Sequence, residues 1–226
     1  MEGRIPGVRF LAALLAAVSL NASAAPFAVT LGGDRVVLDS IPGLSDALPL
    51  GSPRIQELAE SLTSASNRIL LFALTDADIR RFGLGERTEL KRYMLAVTPN
   101  HLERERVTAA QFKLLIDDAQ RDTGKPAEIV DYMKHLDGRP HGQPTMLAQI
   151  QQTGEVYSVL LGTRVPETGG WLSKPQYIVS SNSFLLVRQK ALSVSVFSSY
   201  EGPQDIEWIR FVTERWIDTL RKLNAR

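Results

Sequence analysis

The segment from Gly202 onward constrains the fold more than any other part of this chain. Gly202-Pro203 opens it, Asp205 and Glu207 fall in the first turn, and Arg221, Lys222 and Arg226 lie at the far end. Acids at the start and bases at the end are the order that a helix macrodipole favours. Ile206, Ile209, Val212, Trp216, Leu220 and Leu223 advance by three or four, and Trp208, Phe211 and Ile217 widen the stripe. An apolar helix face this broad needs a sheet or a groove to cover it.

The rest of the chain supplies strands. Phe27–Leu31 and Arg35–Asp39 flank Gly32-Gly33 and read as a hairpin. Ile41–Ser52 is rich in Pro, Gly and Ser and reads as loop. Pro53 then starts a helix to about Ser64, with Ser52 as its cap. Arg68–Leu74 is a buried strand, Thr75-Asp-Ala-Asp78 caps a brief helix ending near Gly83 or Gly85, and Arg92–Thr98 is a strand stopped by Pro99. Val107–Thr123 reads as helix through Phe112, Leu115, Ile116 and Ala119, and Ala127–Leu136 as a shorter one. After the turn-rich loop Asp137–Pro144 the pattern alternates. Met146–Ile150 and Glu155–Leu161 flank a Thr153-Gly154 turn. Tyr177–Val179 and Phe184–Val187 read as one strand interrupted by Ser180–Ser183, and Leu192, Val194 and Val196 alternate with polar residues. The expected fold class is α+β, one antiparallel sheet with helices packed on it and a long amphipathic C-terminal helix.

From Tyr157 to Asn224 the order of elements resembles the C-terminal part of the Mog1/PsbP-like fold. The residues carrying this are FLLVRQKALSVSVFSSY, the turn EGPQD and IEWIRFVTERWIDTLRKLN. The resemblance implies an antiparallel sheet between helices, with a last strand feeding the C-terminal helix. It implies a binding or accessory role rather than catalysis. It assigns no functional residue, because members of that fold differ in function and share no motif to place here.

The N-terminus carries a different signal. Arg4 and Arg9 precede the apolar run Phe10–Leu20, and Ala22-Ser23-Ala24 follows. That is the order of a secretory signal peptide, in a run too short to span a bilayer. Residues 1–24 are therefore expected to be a signal peptide and 25–226 a single α+β domain, exported to the periplasm of a Gram-negative cell or otherwise secreted. Cleavage after Ala24 removes Arg4, Arg9 and Glu2, which takes the formal net charge from +1 to zero. A chain with no basic surplus has no field for nucleic acid or anionic lipid. No later run reaches the roughly 18 apolar residues of a membrane span. The absence of cysteine excludes disulfides, thiol catalysis and thiolate metal sites.

Few residues suggest chemistry. His135 and His141 bracket Asp137, with Glu128 and Asp131 upstream, but this spacing, like that of His101, matches no ligand motif. Asp117 and Asp118 diverge by about 100° on a helix, and Asp76 and Asp78 read as capping residues. No G-x-S-x-G surrounds the serines of 180–199, which read as a small polar surface or a place of close helix packing. The turn glycines lack the context of a phosphate loop. The candidate binding residues are Trp171, which follows Gly169-Gly170 in an expected loop, and Arg139 and His141 in the loop 137–144. No catalytic residue, metal or cofactor is assigned. The expected function is a non-catalytic accessory or binding protein contacting a protein partner or a small ligand. The alternatives are an exported hydrolase without a recognisable motif and a periplasmic metal carrier.

Overall fold

The structure is a computed structural model that describes residues 25–86, 89–123, 126, 131–166 and 176–225. Its centre is a seven-stranded antiparallel sheet. The strands are β3 (Leu44–Asp46), β4 (Asn67–Thr75), β5 (Arg92–Pro99), β6 (Thr145–Gln152), β7 (Val156–Arg164), β8 (Tyr177–Val187) and β9 (Lys190–Ser199). Their order across the sheet is β3-β4-β5-β9-β8-β7-β6, so strands from both sides of the loop 137–144 share it. β1 (Phe27–Leu31) and β2 (Asp34–Leu38) form a separate hairpin. The helices are α1 (Pro53–Ser61), α2 (Asp76–Gly83), α3 (Ala109–Thr123), α4 (Tyr132–Asp137) and α5 (Pro203–Asn224). The α+β class and the long C-terminal helix are as the sequence predicts.

Strand parity decides what each face carries. On β8 and β9, Val179, Leu185, Leu192, Val194 and Val196 point to the face that α5 covers through Ile209, Trp216, Ile217 and Leu220. Ser181 and Ser183 share that face and are fully buried. The Thr213 hydroxyl donates to Ser181 Oγ at 2.6 Å, and Ser183 pairs with Ser158 at 2.6 Å. Small side chains let the helix approach the sheet, and the pairing removes the cost of burying hydroxyls. The β1–β2 hairpin packs against α5 through β2, with Leu31, Val36 and Leu38 in the same core. The Trp216 indole N–H donates to the Asp39 carbonyl at 2.7 Å.

The opposite face is covered in two places. α1 packs over β4 and β5, where Phe72, Leu74, Tyr93 and Leu95 are buried and the Tyr93 and Phe197 rings stack at 4.4 Å. Burial pushes the Tyr93 phenol up to about 12. α3 packs Phe112 and Ile116 over Tyr157 and Val159. At the far end of the sheet the β8–β9 connection places Arg188 and Gln189 at φ of 51° and 63°. The Gln189 carbonyl accepts the Val107 N–H at 2.8 Å. Next to it the Lys190 ammonium is 1% exposed, donating to the carbonyls of Glu103 at 3.2 Å and Glu105 at 2.8 Å, with Asp34 at 3.6 Å.

Several local expectations are corrected. Tyr177–Val187 is one uninterrupted strand, because the serines at 180–183 are buried and bonded rather than looped out. The expected loop Ile41–Ser52 contains β3 and a 3-10 turn at Leu48–Leu50. α1 ends at Ser61, and Ser52 holds its N-cap position without a side-chain hydrogen bond. α3 begins at Ala109, two residues later than expected. The cap of α2 is Thr75, which accepts the Asp78 N–H. α4 begins only at Tyr132, since Asp131 is extended and caps it through the Lys134 N–H. Phe211 does not widen the buried stripe of α5: it is 61% exposed.

Candidate functional site

The ends of β4, β5 and β9 meet the N-terminus of α5 around an open cleft of about 660 Å³. Each wall is fixed by a capping or pairing interaction. β4 ends at Thr75, whose hydroxyl accepts the Asp78 N–H at 3.1 Å and donates to Asp78 Oδ2 at 2.7 Å. β5 begins at Arg92, directly opposite Ser198 on β9. From there the chain turns through Tyr200–Gly202 into α5.

Asp205 closes that turn. Its Oδ2 accepts the N–H groups of Glu201 at 2.8 Å and Gly202 at 3.2 Å, and its Oδ1 accepts from Arg92 Nη2 at 3.0 Å. A carboxylate in the first turn of a long helix, reaching back to the N–H of the cap residue and of the one before it, is electrostatically favourable. The α5 N-terminus therefore carries its own anion, on the side chain of Asp205. Arg92 is held on three sides: by Asp205, by Ser198 Oγ at 3.4 Å from Nε, and by the Trp208 ring, whose centroid is 4.2 Å from the guanidinium carbon. Its side chain is nevertheless 38% exposed. Of the five N–H donors of a guanidinium, Asp205 and Ser198 take one each.

The rim carries charge of both signs. Lys91 Nζ pairs with Glu201 Oε1 at 3.0 Å, and this hydrogen bond raises the lysine above its ordinary pKa. Arg81 and Glu89 are exposed on the same rim. The cleft thus presents an oriented arginine, exposed charges of both signs around it and the hydroxyl of Ser199. Such an array recognises charged groups by orientation as much as by net charge.

The residues singled out in the sequence lie elsewhere. Arg139 and His141 are both exposed on the loop after α4. Arg139 Nη2 lies 3.5 Å from His135 Nε2. The Gly142 N–H donates to the Arg164 carbonyl at 2.8 Å and ties the loop to the end of β7. Beside it the Tyr177 hydroxyl donates to the Asp137 carboxylate, and burial together with that carboxylate pushes the phenol up to about 12. Trp171, Gly169 and Gly170 lie outside the described residues, as does Glu128. Among the described residues no three His, Asp or Glu side chains converge to hold a metal ion. Asp117 pairs with Lys113 and Asp118 with Arg121 on the exposed side of α3. No helix among the described residues is long and apolar enough to cross a membrane.

The Arg92–Asp205–Trp208 cluster went unread in the sequence. Its members lie far apart along the chain, and Asp205 alone looks like an ordinary first-turn acid. The one available signal was an arginine opening an apolar strand, where it must end at the sheet margin.

No protein-family model matches the chain, and no curated protein matches it significantly. Solved structures similar to it include a point mutant of Protein Mog1, with 12% identity over 89% of this chain and 94% of that one and a TM-score of 0.35. The Saccharomyces cerevisiae Ran-binding protein Mog1p aligns with 12% identity over 89% of this chain and 93% of that one, at a TM-score of 0.34. The likeness to the Mog1-like fold is weak, and no residue role is carried across it.

Proposed function

We propose that this chain is an exported, non-catalytic binding protein whose cleft at the N-terminus of α5 engages a charged group on a protein partner or small ligand. The observation that supports this reading is the clamped Arg92. Asp205, Ser198 and Trp208 fix its orientation while leaving it partly exposed, so little side-chain entropy remains to be lost on binding. Asp78 and Asp205 are committed to caps and ion pairs that hold the fold. The groups left to face a ligand are Arg92 and the rim charges. Export rests on the sequence alone, on the charged start, the apolar run and Ala22-Ser23-Ala24.

Two measurements test the two halves. Mass spectrometry of the exported protein should find a new N-terminus at Ala25 or Pro26, and intact Met1 on a cytoplasmic product removes the export claim. The double reversal Arg81→Glu/Lys91→Glu changes only exposed side chains. It should abolish complementation of a deletion strain with thermal stability unchanged. If it is silent while Arg139→Ala/His141→Asn abolishes complementation, the site belongs to the loop 137–144 instead.

A further inference from the structure

On the reading of the cleft at the N-terminus of α5 as the binding site, we infer that its ligand is a small zwitterion, with a carboxylate held by Arg92 and an ammonium held by the carboxylates of the rim.

A guanidinium is planar and offers its N–H groups along its edges. In Arg92 the edge formed by Nε and Nη2 is used within the fold, by Ser198 Oγ at 3.4 Å and by Asp205 Oδ1 at 3.0 Å. The Trp208 ring covers one face, its centroid 4.2 Å from the guanidinium carbon. Among the described residues Nη1 makes no hydrogen bond. Both of its N–H groups therefore remain, together with one on Nη2. Neighbouring N–H groups on the two terminal nitrogens form a fork that matches the two oxygens of a carboxylate. Arg92 lines the cleft with its side chain partly exposed, so a planar two-oxygen anion meets a partner that is already oriented.

The charges around Arg92 decide what else the ligand carries. The cationic lining of the cleft is Arg81, Lys91 and Arg92. Four carboxyl side chains line the same space, the exposed Glu89 and Glu201 and the buried Asp78 and Asp205. The acidic excess is local to Lys91. Its ammonium is held above its ordinary pKa first by the hydrogen bond and charge of Glu201, and further by the charges of Glu89 and Asp205. Asp205 has Arg92 as a second cation, whereas Glu89 makes no ion pair among the described residues. A plain anion, and a phosphate dianion above all, would enter this field against like charge. A zwitterion brings no net charge. Its carboxylate meets the Arg92 fork, and its ammonium meets the acidic side of the rim.

A free α-amino acid and the two ends of a short peptide share this chemistry. The cleft, at about 660 Å³, has the size of a small-molecule site. Its charged lining suits a hydrophilic ligand.

The exported protein, isotopically labelled for NMR, is titrated with L-alanine and with L-alanyl-L-alanine, which separate the two sources. N-acetyl-L-alanine supplies the carboxylate alone, L-alanine amide the ammonium alone, and inorganic phosphate a plain anion. At least one zwitterion should shift the Arg92 Nε–H resonance and bind roughly tenfold more tightly than the singly functional probes. Glu89→Gln alters one exposed side chain. It should weaken the zwitterion several-fold while N-acetyl-L-alanine binds no more weakly. Arg92→Lys keeps the charge, loses the fork and should weaken every carboxylate probe roughly tenfold. If thermal melts show that Arg92→Lys disturbs the fold, Glu89→Gln still decides. Phosphate or N-acetyl-L-alanine binding as tightly as the zwitterions overturns the inference in favour of a plain anion and leaves the cleft as the binding site. No binding of either zwitterion at millimolar concentration, while Arg81→Glu/Lys91→Glu still abolishes complementation, also overturns the inference alone. A zwitterion that binds without moving the Arg92 resonance and ignores Glu89→Gln sits elsewhere and overturns it too. Silence of every probe and of the double reversal overturns both the inference and the reading of the cleft.

Discussion

Asn224 pairs with the backbone of Val37 as a neighbouring strand would. Its Oδ1 accepts the Val37 N–H and its Nδ2 donates to the Val37 carbonyl, both at 2.8 Å, across 187 positions of sequence. The same nitrogen reaches the Leu220 carbonyl at 2.8 Å, so one amide closes the end of α5 and the edge of β2 together.

Asn224→Ala should cost about 1–3 kcal/mol, because it leaves partly buried backbone groups without partners. Asn224→Asp keeps the acceptor but sets a buried carboxylate oxygen against the Val37 and Leu220 carbonyls at the negative end of α5, and should be at least as costly as alanine at neutral pH. Urea denaturation gives the order, and faster amide exchange at Val37 locates it.

Gly32 tests how the hairpin is seated. Its φ is +53°, and a Cβ there would stand 2.5 Å from the Arg104 Cα and 2.8 Å from the Arg104 carbonyl oxygen. The left-handed backbone and the clash with main chain add, so Gly32→Ala should cost roughly 2–4 kcal/mol. Gly33→Ala, also at positive φ but with nothing within 4 Å, should cost only about 1–2 kcal/mol. Equal losses in thermal melts would show that the approach to Arg104 contributes nothing.

Asp39 gives a pH dependence. Burial raises its carboxyl above the ordinary 3.8, against a smaller opposing hydrogen bond from the Ser40 backbone, and its Oδ1 is buried without a partner. A group whose folded pKa is raised binds its proton more tightly in the native state. The penalty is absent below the unfolded value of 3.8. It grows as pH rises through the folded pKa and is complete above it. Asp39→Asn should therefore stabilise the protein at neutral pH and change nothing near pH 3 or below. Chemical denaturation across that range checks the sign, and a variant less stable at pH 7 contradicts it.

Much of the fold was legible in the sequence where one period dominated. The stripe from Ile206 to Leu220 marked α5, and Gly32-Gly33 between alternating runs marked the hairpin. Reading failed where composition and environment disagree. Ser180–Ser183 look like a break, yet Ser181 and Ser183 lie under α5 because their hydroxyls find Thr213 and Ser158 there. Neither partner is near in sequence. Phe211 looks like core, but its position on the helix turns it to solvent. The candidate cleft was illegible for a related reason. Arg92 and Asp205 stand 113 positions apart and meet only because β5 lies beside β9.

The hairpin that lies on α5 joins the first strands of the described chain to its last helix. A chain that emerges amino end first, from a ribosome or through a pore, presents β1 and β2 long before the surface they need exists. Until Trp216 and Asn224 arrive, Leu31, Val36 and Leu38 have no helix to lie on. Closing a loop of nearly the whole chain comes late, because its entropy must be lost before its contacts form. Leu31, Val36 and Leu38 are therefore seated only once α5 has been made, so the first hairpin and the last described helix are fixed in one late step.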